Sequence, residues 1–445
     1  MQMNSYLVRS SVVAALGGLL FGFDTAVISG VTAALKVQYA LTPLTLGFTV
    51  SAALVGTILG AMFGGIPGDR YGRRASLMIT GVLYLVSAIG CGFALDWSWL
   101  VAARFIGGLG IGASSVLGPM YIAEIAPPAS RGKMVGLFQF NIVFGILLAY
   151  FSNYVVGSMG FGDAEWRWKL GVAALPAALF CLLLAGIPES PRWLAQKGRT
   201  AEAEQVLRST GDPNYRKDLD EIVASVRTTK TGPASGGERL FQRRYLFPIF
   251  LAVSIGMFNQ LSGINAILYY LNDIFAAAGF TKVSGDLQSV AVGGTNLLFT
   301  VIAMSVIDRL GRKKLLLIGA AGTSLALAGV AAIFLSGTHQ DLLLWCLVAF
   351  IGFFAFSQGA VIWVYLSEVF PTLVRAKGQS LGSFTHWAMN AAISFTFPAL
   401  AEISRGAPFV FFALATAVQF FVVLTMYPET TGYTLEEMQS RMAAH

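Results

Sequence analysis

The 445 residues are 56% hydrophobic and only 12% charged, with a formal net charge of +7. So large an apolar share with so few charges excludes a water-soluble globular domain. The positive charge is divided among short loops between apolar stretches and not gathered into one patch, which excludes nucleic acid as a partner.

A membrane helix needs about 20 mostly apolar residues, and such stretches recur along the whole chain. The first expected span, 10–31, follows Arg9 and contains Gly17-Gly18-Leu19-Leu20-Phe21-Gly22-Phe23-Asp24. Its internal acid, and the second crossing that follows it, argue against a cleaved signal peptide. The second span, 46–67, carries Gly56, Gly60 and Gly64, and leads into Gly68-Asp69-Arg70-Tyr71-Gly72-Arg73-Arg74. A third, 75–95, precedes a fourth, 99–123, which holds Arg104 and the run Gly108, Gly110, Gly112. No strand precedes either glycine run, so both read as close helix packing and not as a nucleotide loop. Tyr121 and Glu124 then lead to Arg131-Gly132-Lys133, the fifth span, 134–156, and the sixth, 168–187.

Residues 188–243 form a polar insert. Ser190-Pro191 suits a helix cap followed by proline at the first helical position. Stretches 201–207 and 218–227 read as amphipathic helices, and 232–237 as a flexible link. The insert reads as a brace for the two halves. The second half then supplies spans at 245–276, 287–307, 314–335, 342–366, 378–401 and 408–427, ending in a short tail, 429–445. Asn259, Gln260, Ser262 and Asn265 make the seventh span the one a strict hydropathy count would merge or drop. Cys91, Cys181 and Cys346 fall within spans and read as packing residues, with no disulfide, metal or cofactor implied.

Lysine and arginine fall on alternate loops. One side holds Arg9, Arg70, Arg73, Arg74, Arg131, Lys133, the insert, Arg309, Arg312, Lys313, Lys314, Arg375, Lys377 and Arg441; the other only Lys36, Arg167, Lys169, Lys282 and Arg405. The rich side is expected in the cytoplasm, with both termini and an even number of crossings. The loop motifs also repeat. Asp308 in Asp308-Arg309-Leu310-Gly311-Arg312 follows Asp69 by 239 residues, Glu368 follows Glu124 by 244, and Pro428-Glu429 follows Pro188-Glu189 by 240. Three pairs in one order mean a duplicated six-helix unit, with halves at 1–187 and 244–428. Such units build transporters whose substrate site lies near the membrane midplane. Arg73, Glu124, Arg131 and Glu189, with their counterparts Arg312, Glu368, Arg375 and Glu429, are expected to pair across helix ends and hold the inner mouth closed.

These residues, with Pro188-Glu189-Ser190-Pro191-Arg192, Gln260-Leu261-Ser262-Gly263-Ile264-Asn265 and Pro428-Glu429-Thr430, resemble the sugar porter family of the major facilitator superfamily. That family includes bacterial sugar/proton symporters and animal glucose facilitators. The resemblance covers nearly the whole chain and implies an all-α membrane protein of twelve helices in two pseudo-twofold-related bundles.

An ionised side chain at a helix centre costs about 2.5–3.5 kcal/mol to insert, so Asp24 needs a partner. Arg104, the only basic residue read as interior to a span, supplies it. Burial opposes the carboxylate and a neighbouring guanidinium favours it, so separating the two lets Asp24 take a proton. The resemblance implies the same role. Sugars present many hydroxyls and no charge, which calls for neutral amides and an aromatic face. Asn259, Gln260 and Asn265 supply amides; on a straight helix Gln260 and Asn265 would lie about 140° apart, so Gly263 is expected to break the helix. By resemblance Gln139, Asn296, Trp363, His386 and Asn390 complete the site, and Tyr269 and Tyr270 form the outer gate. Asn259 beside Gln260 stands where the family often has two glutamines, His386 where it often has Gln or Asn, and Ser357-Gln358-Gly359-Ala360 where it commonly has a proline-bearing pattern.

The expected function is import of a monosaccharide, hexose or pentose, by alternating access with proton symport, by a monomer in the inner membrane surrounded by lipid. The alternatives are a proton-independent uniporter and a sugar sensor that does not transport. No Ser-His-Asp or metal-ligand cluster supports an enzyme.

Overall fold

The computed structural model describes residues 4–127, 130–211, 213–231, 240–371 and 374–431. The link at 232–237 and the tail from 432 onward, including Arg441, lie outside the described residues. Every described regular element is a helix. That follows from the solvent: a chain crossing hydrocarbon must satisfy each backbone N–H and C=O within its own segment.

Among the described residues, eleven stretches are long and apolar enough to cross a membrane: Ser5–Gly30, Pro43–Phe63, Arg73–Gly92, Trp97–Ile125, Lys133–Ser158, Gly162–Leu184, Arg243–Tyr269, Lys282–Ile307, Arg312–Ser336, Gln340–Glu368 and Ala407–Met426. One further crossing, the eleventh in chain order, is Arg375–Ile403, a helix of 29 residues. The marginal span is therefore the eleventh and not the seventh, because Gln379, His386 and Asn390 dilute its apolar content. Leu182 and Leu325 are 73% and 75% exposed on the outside of their helices, which suits contact with lipid.

The described residues group into two compact units. One is drawn from Met1–Val27, Ala52–Ser152 and Gly160–Ser235, the other from Ile28–Ser51, Asn153–Met159 and Gly236–His445. The division does not fall between the sequence halves. The ends of the first, second and fifth spans remote from the basic loops join the second unit, where Lys36 pairs with Asp273 at 3.0 Å and Gly47 leaves room for the Phe395 carbonyl.

In the first unit, Leu77, Leu117, Tyr121 and Phe180 share one apolar core with Leu194, Ala203 and Leu207 of the insert. Burying a leucine away from water is worth about 1.5–3 kcal/mol, enough to dock the insert helices firmly. Those helices are Pro191–Gln196, capped by the Ser190 hydroxyl, Thr200–Ser209 and Tyr215–Thr231. Asn4 donates to the Ser209 carbonyl at 2.9 Å and ties the start of the chain to the insert. A Cβ on Gly60 would meet the Leu109 carbonyl, and one on Gly108 the Ala53 carbonyl. The glycine runs thus bring the second and fourth helices into backbone contact. In the second unit, Leu251, Leu315, Val361, Tyr365 and Val423 form the corresponding core. The three cysteines are unbridged.

Two spans are broken within the second unit. The seventh runs Leu246–Leu261, turns at Gly263 with φ 79°, and resumes as Ile264–Tyr269. That left-handed conformation is one glycine adopts without a Cβ penalty. The tenth is interrupted at Ser357 between Leu343–Phe356 and Gln358–Glu368, a break with no proline at the joint, although Gly359 follows it closely.

Candidate functional site

Each unit carries the same polar construction at its basic end. Gly72 and Gly311, at φ 101° and 88°, reverse the chain between two spans. The N-terminal N–H groups of the next helix then meet a carboxylate, where the helix dipole favours negative charge. Glu189 accepts from the backbone N–H of Arg73 and Arg74 at 2.8 and 3.1 Å. Glu429 accepts from those of Arg312 and Lys313 at 2.8 and 3.1 Å. Arg73 grips Glu124 with two bonds, at 2.9 and 3.0 Å, and Arg312 donates to Glu368 at 2.9 Å. Ser190 and Thr430 donate to the same two glutamates. The duplication read from spacing is thus repeated residue for residue. Two members stand outside it: Arg131 is exposed, and Arg375 donates to the Phe370 carbonyl.

Burial opposes the Glu429 carboxylate, but the N–H groups of Thr431, Arg312 and Lys313 and the Thr431 hydroxyl outweigh it and hold the acid below the usual carboxylate range. The stability this contributes is present above the ordinary carboxylate value and is lost as pH falls through the lowered one. Glu429→Gln is therefore expected to lower the melting temperature in detergent at neutral pH, with the gap to wild type closing in acid. A gap that stays constant with pH would contradict this assignment.

Deep in the first unit, Arg104 donates to Asp24 at 3.0 Å, with side-chain exposures of 3% and 18%. Lys169 corrects the reading that Arg104 is the only basic residue inside a span: it lies within Gly162–Leu184, fully buried, at 2.8 Å from Glu165 one turn earlier. The local i, i+4 pairing hides its charge.

The amides of the second unit form a continuous hydrogen-bonded row. Asn265 donates to Gln260 Oε1 at 3.1 Å, and Gln260 Nε2 donates to Asn259 Oδ1 at 3.1 Å. The break at Gly263 brings together side chains that a straight helix would have turned apart. Gln260 Nε2 also lies 3.3 Å from both ring nitrogens of His386. The Trp363 ring sits 5.2 Å from the His386 ring and is 39% exposed, the one broad aromatic face along this row that is open. Asn390 donates to the Tyr269 hydroxyl at 3.3 Å, and Tyr270 donates to the Ser394 carbonyl at 2.9 Å. Asn296 is buried on the eighth helix and Gln139 half-buried on the fifth; neither joins this row.

Two residues to which the sequence reading gave no site role adjoin it. Trp387 packs edge-on against His386 at 5.1 Å. Gln358, at the break of the tenth helix, is 2% exposed, and both its amide atoms are buried without a partner among the described residues. A polar residue opening a break within an apolar span was the signal available for it.

The sugar (and other) transporter family matches residues 10–442. The arabinose-proton symporter of Bacillus subtilis (strain 168) is 36% identical over 98% of this chain and 94% of its own length. The D-xylose-proton symporter of Escherichia coli (strain K12) is 35% identical over 98% of this chain and 96% of its own. In three dimensions the chain is similar to the inward open conformation of the xylose transporter XylE from E. coli, with a TM-score of 0.86 and 34% identity over 98% of this chain and 100% of that one. With the duplicated motifs and twelve helices above, this chain belongs to the sugar (and other) transporter family, as a sugar porter of the major facilitator superfamily and not an enzyme.

Proposed function

We propose that the protein imports a monosaccharide, hexose or pentose, by alternating access, and that proton symport through Asp24 and Arg104 drives it. The observation that carries this reading is the uncharged row Asn265, Gln260, Asn259, extended by His386 and edged by Trp363. It offers paired donors and acceptors with one open aromatic face, which is what a neutral polyhydroxylated ring requires. Asn296 and Asn390 complete the site within the second unit, and Tyr269 and Tyr270 form its outer gate. The names of the relatives, symporters of arabinose and xylose, support both the substrate class and the coupling ion. In this reading the functional halves are 1–187 and 244–428, 188–243 braces them on the cytoplasmic side, and both termini of the plasma-membrane monomer are cytoplasmic.

Reconstitution into liposomes, with uptake of a panel of hexoses, pentoses and polyols with and without an inward proton gradient, tests the proposal. Accumulation above the outside concentration that a protonophore collapses is the expected result. Uptake that only equilibrates would identify a uniporter, and binding without uptake a sensor.

The carboxylate clusters at the basic ends act as inner latches. Arg73→Ala or Arg312→Ala is expected to raise labelling of engineered inner-mouth cysteines by a membrane-impermeant maleimide added from the cytoplasmic side, several-fold over the parent. Equal labelling rates in mutant and parent would show that the clusters only hold helix ends.

A further inference from the structure

Beside the Asp24–Arg104 pair the first unit holds a small cavity of about 20 Å³ lined by Asp24, Tyr84, Ser87, Cys91, Arg104 and Ala173, among others. One face of Arg104 is bonded to Asp24 through Nη1, but its Nε–H is buried and has no partner among the described residues. A water molecule needs about 10–15 Å³ and two to four polar partners. Arg104 Nε is a donor that needs an acceptor, and Asp24 offers lone pairs; Ser87 and Tyr84 also line the space, the Tyr84 hydroxyl being paired with Ser114.

We propose that this cavity binds a single water molecule that accepts from Arg104 Nε–H and donates to the Asp24 carboxylate, and that this water sets the pH at which Asp24 gains and releases its proton. The inference rests on the proton-coupling reading of Asp24 and adds to it a positioning element. With Asp24 ionised, the water adds a hydrogen bond to the carboxylate. With Asp24 protonated, the attraction between the two side chains is gone and the same water keeps the buried guanidinium partnered. The titratable groups facing Asp24 here are Tyr84 and Cys91 from the third helix and Arg104 from the fourth. The sixth helix contributes Leu170 and Ala173 to the lining, and the charge next to them, Lys169, is matched by Glu165.

A hydrogen bond to a carboxylate favours the charged form, and apolar filling of the space disfavours it. Removing the water therefore moves the protonation midpoint of Asp24 to higher pH. The measurement is pH-difference infrared spectroscopy of the full-length protein in lipid films, following the protonated-carboxyl band that Asp24→Asn removes. Ala88→Val from the third helix and Ala173→Val from the sixth each fill the cavity, so one remains informative if the other fails to fold. Either is expected to raise the midpoint by about one pH unit, as the loss of one charge-assisted hydrogen bond implies. Cys91→Ser, which leaves the space and adds a hydroxyl, should leave the midpoint within a few tenths of wild type. An unchanged midpoint in the folded filling variants overturns the water site, as does a wild-type spectrum with no Asp24 band. Because the band is read without sugar or gradient, its midpoint judges the water, while protonophore-sensitive accumulation separately judges the coupling.

Discussion

Asp24→Asn is expected to abolish accumulation of sugar against its gradient while leaving exchange of labelled for unlabelled sugar across the membrane. Asparagine keeps the shape of the side chain and one acceptor for Arg104, which sits 3.0 Å away with 3% of its side chain exposed, but it cannot carry a proton. Removing a partner from a buried ion pair costs about 3–5 kcal/mol, so part of the loss will be in folded yield. Normalising to folded protein and to exchange separates the two. Coupling adds the proton-motive free energy to the sugar gradient, so an uncoupled protein can at best equilibrate. A variant that still concentrates sugar, and whose accumulation a protonophore still collapses, would remove Asp24 from the coupling mechanism.

Gln260→Ala is expected to produce the largest loss of sugar affinity of any single amide. Gln260 is the hub of the row: it bonds Asn259 and Asn265 and lies within reach of His386. Truncation removes a donor and an acceptor at once and leaves neighbouring amides unsatisfied. A buried polar group so orphaned costs about 1–3 kcal/mol, so affinity should fall roughly tenfold to a hundredfold. Asn296→Ala, at a buried amide outside the row, should cost less. Binding followed by the fluorescence of Trp363, which lies against the His386 ring, measures both. Equal losses at the two positions, or none at Gln260, would show that the row serves packing between helices and not the ligand.

Much of the architecture was legible before any coordinates. Twelve crossings, the duplication and the helix break at Gly263 all follow from length, spacing and residue type. These are local or periodic properties: apolar runs of membrane length, charges at loop positions, a glycine among polar neighbours. The tenth helix was different. Its interruption at Ser357 depends on how Gln358–Glu368 packs, and no residue at the joint forces it. Lys169 looked like a loop residue because a lysine at a span edge ordinarily faces water. Only the position of Glu165 one turn earlier shows why it tolerates complete burial.

What the chain decides by itself is the class of solvent it lives in, the number of helices and the pairing of its halves, because each follows from transfer free energies summed along consecutive residues. Tertiary structure decided which side chains meet. Asn265 reaches Gln260 only across the bend, Arg104 meets Asp24 from another helix beside a small cavity, and Glu429 returns from the end of the twelfth span to cap the ninth. Those contacts join residues as much as 117 positions apart. No local preference encodes them; they arise when packed helices leave a buried polar group no other partner.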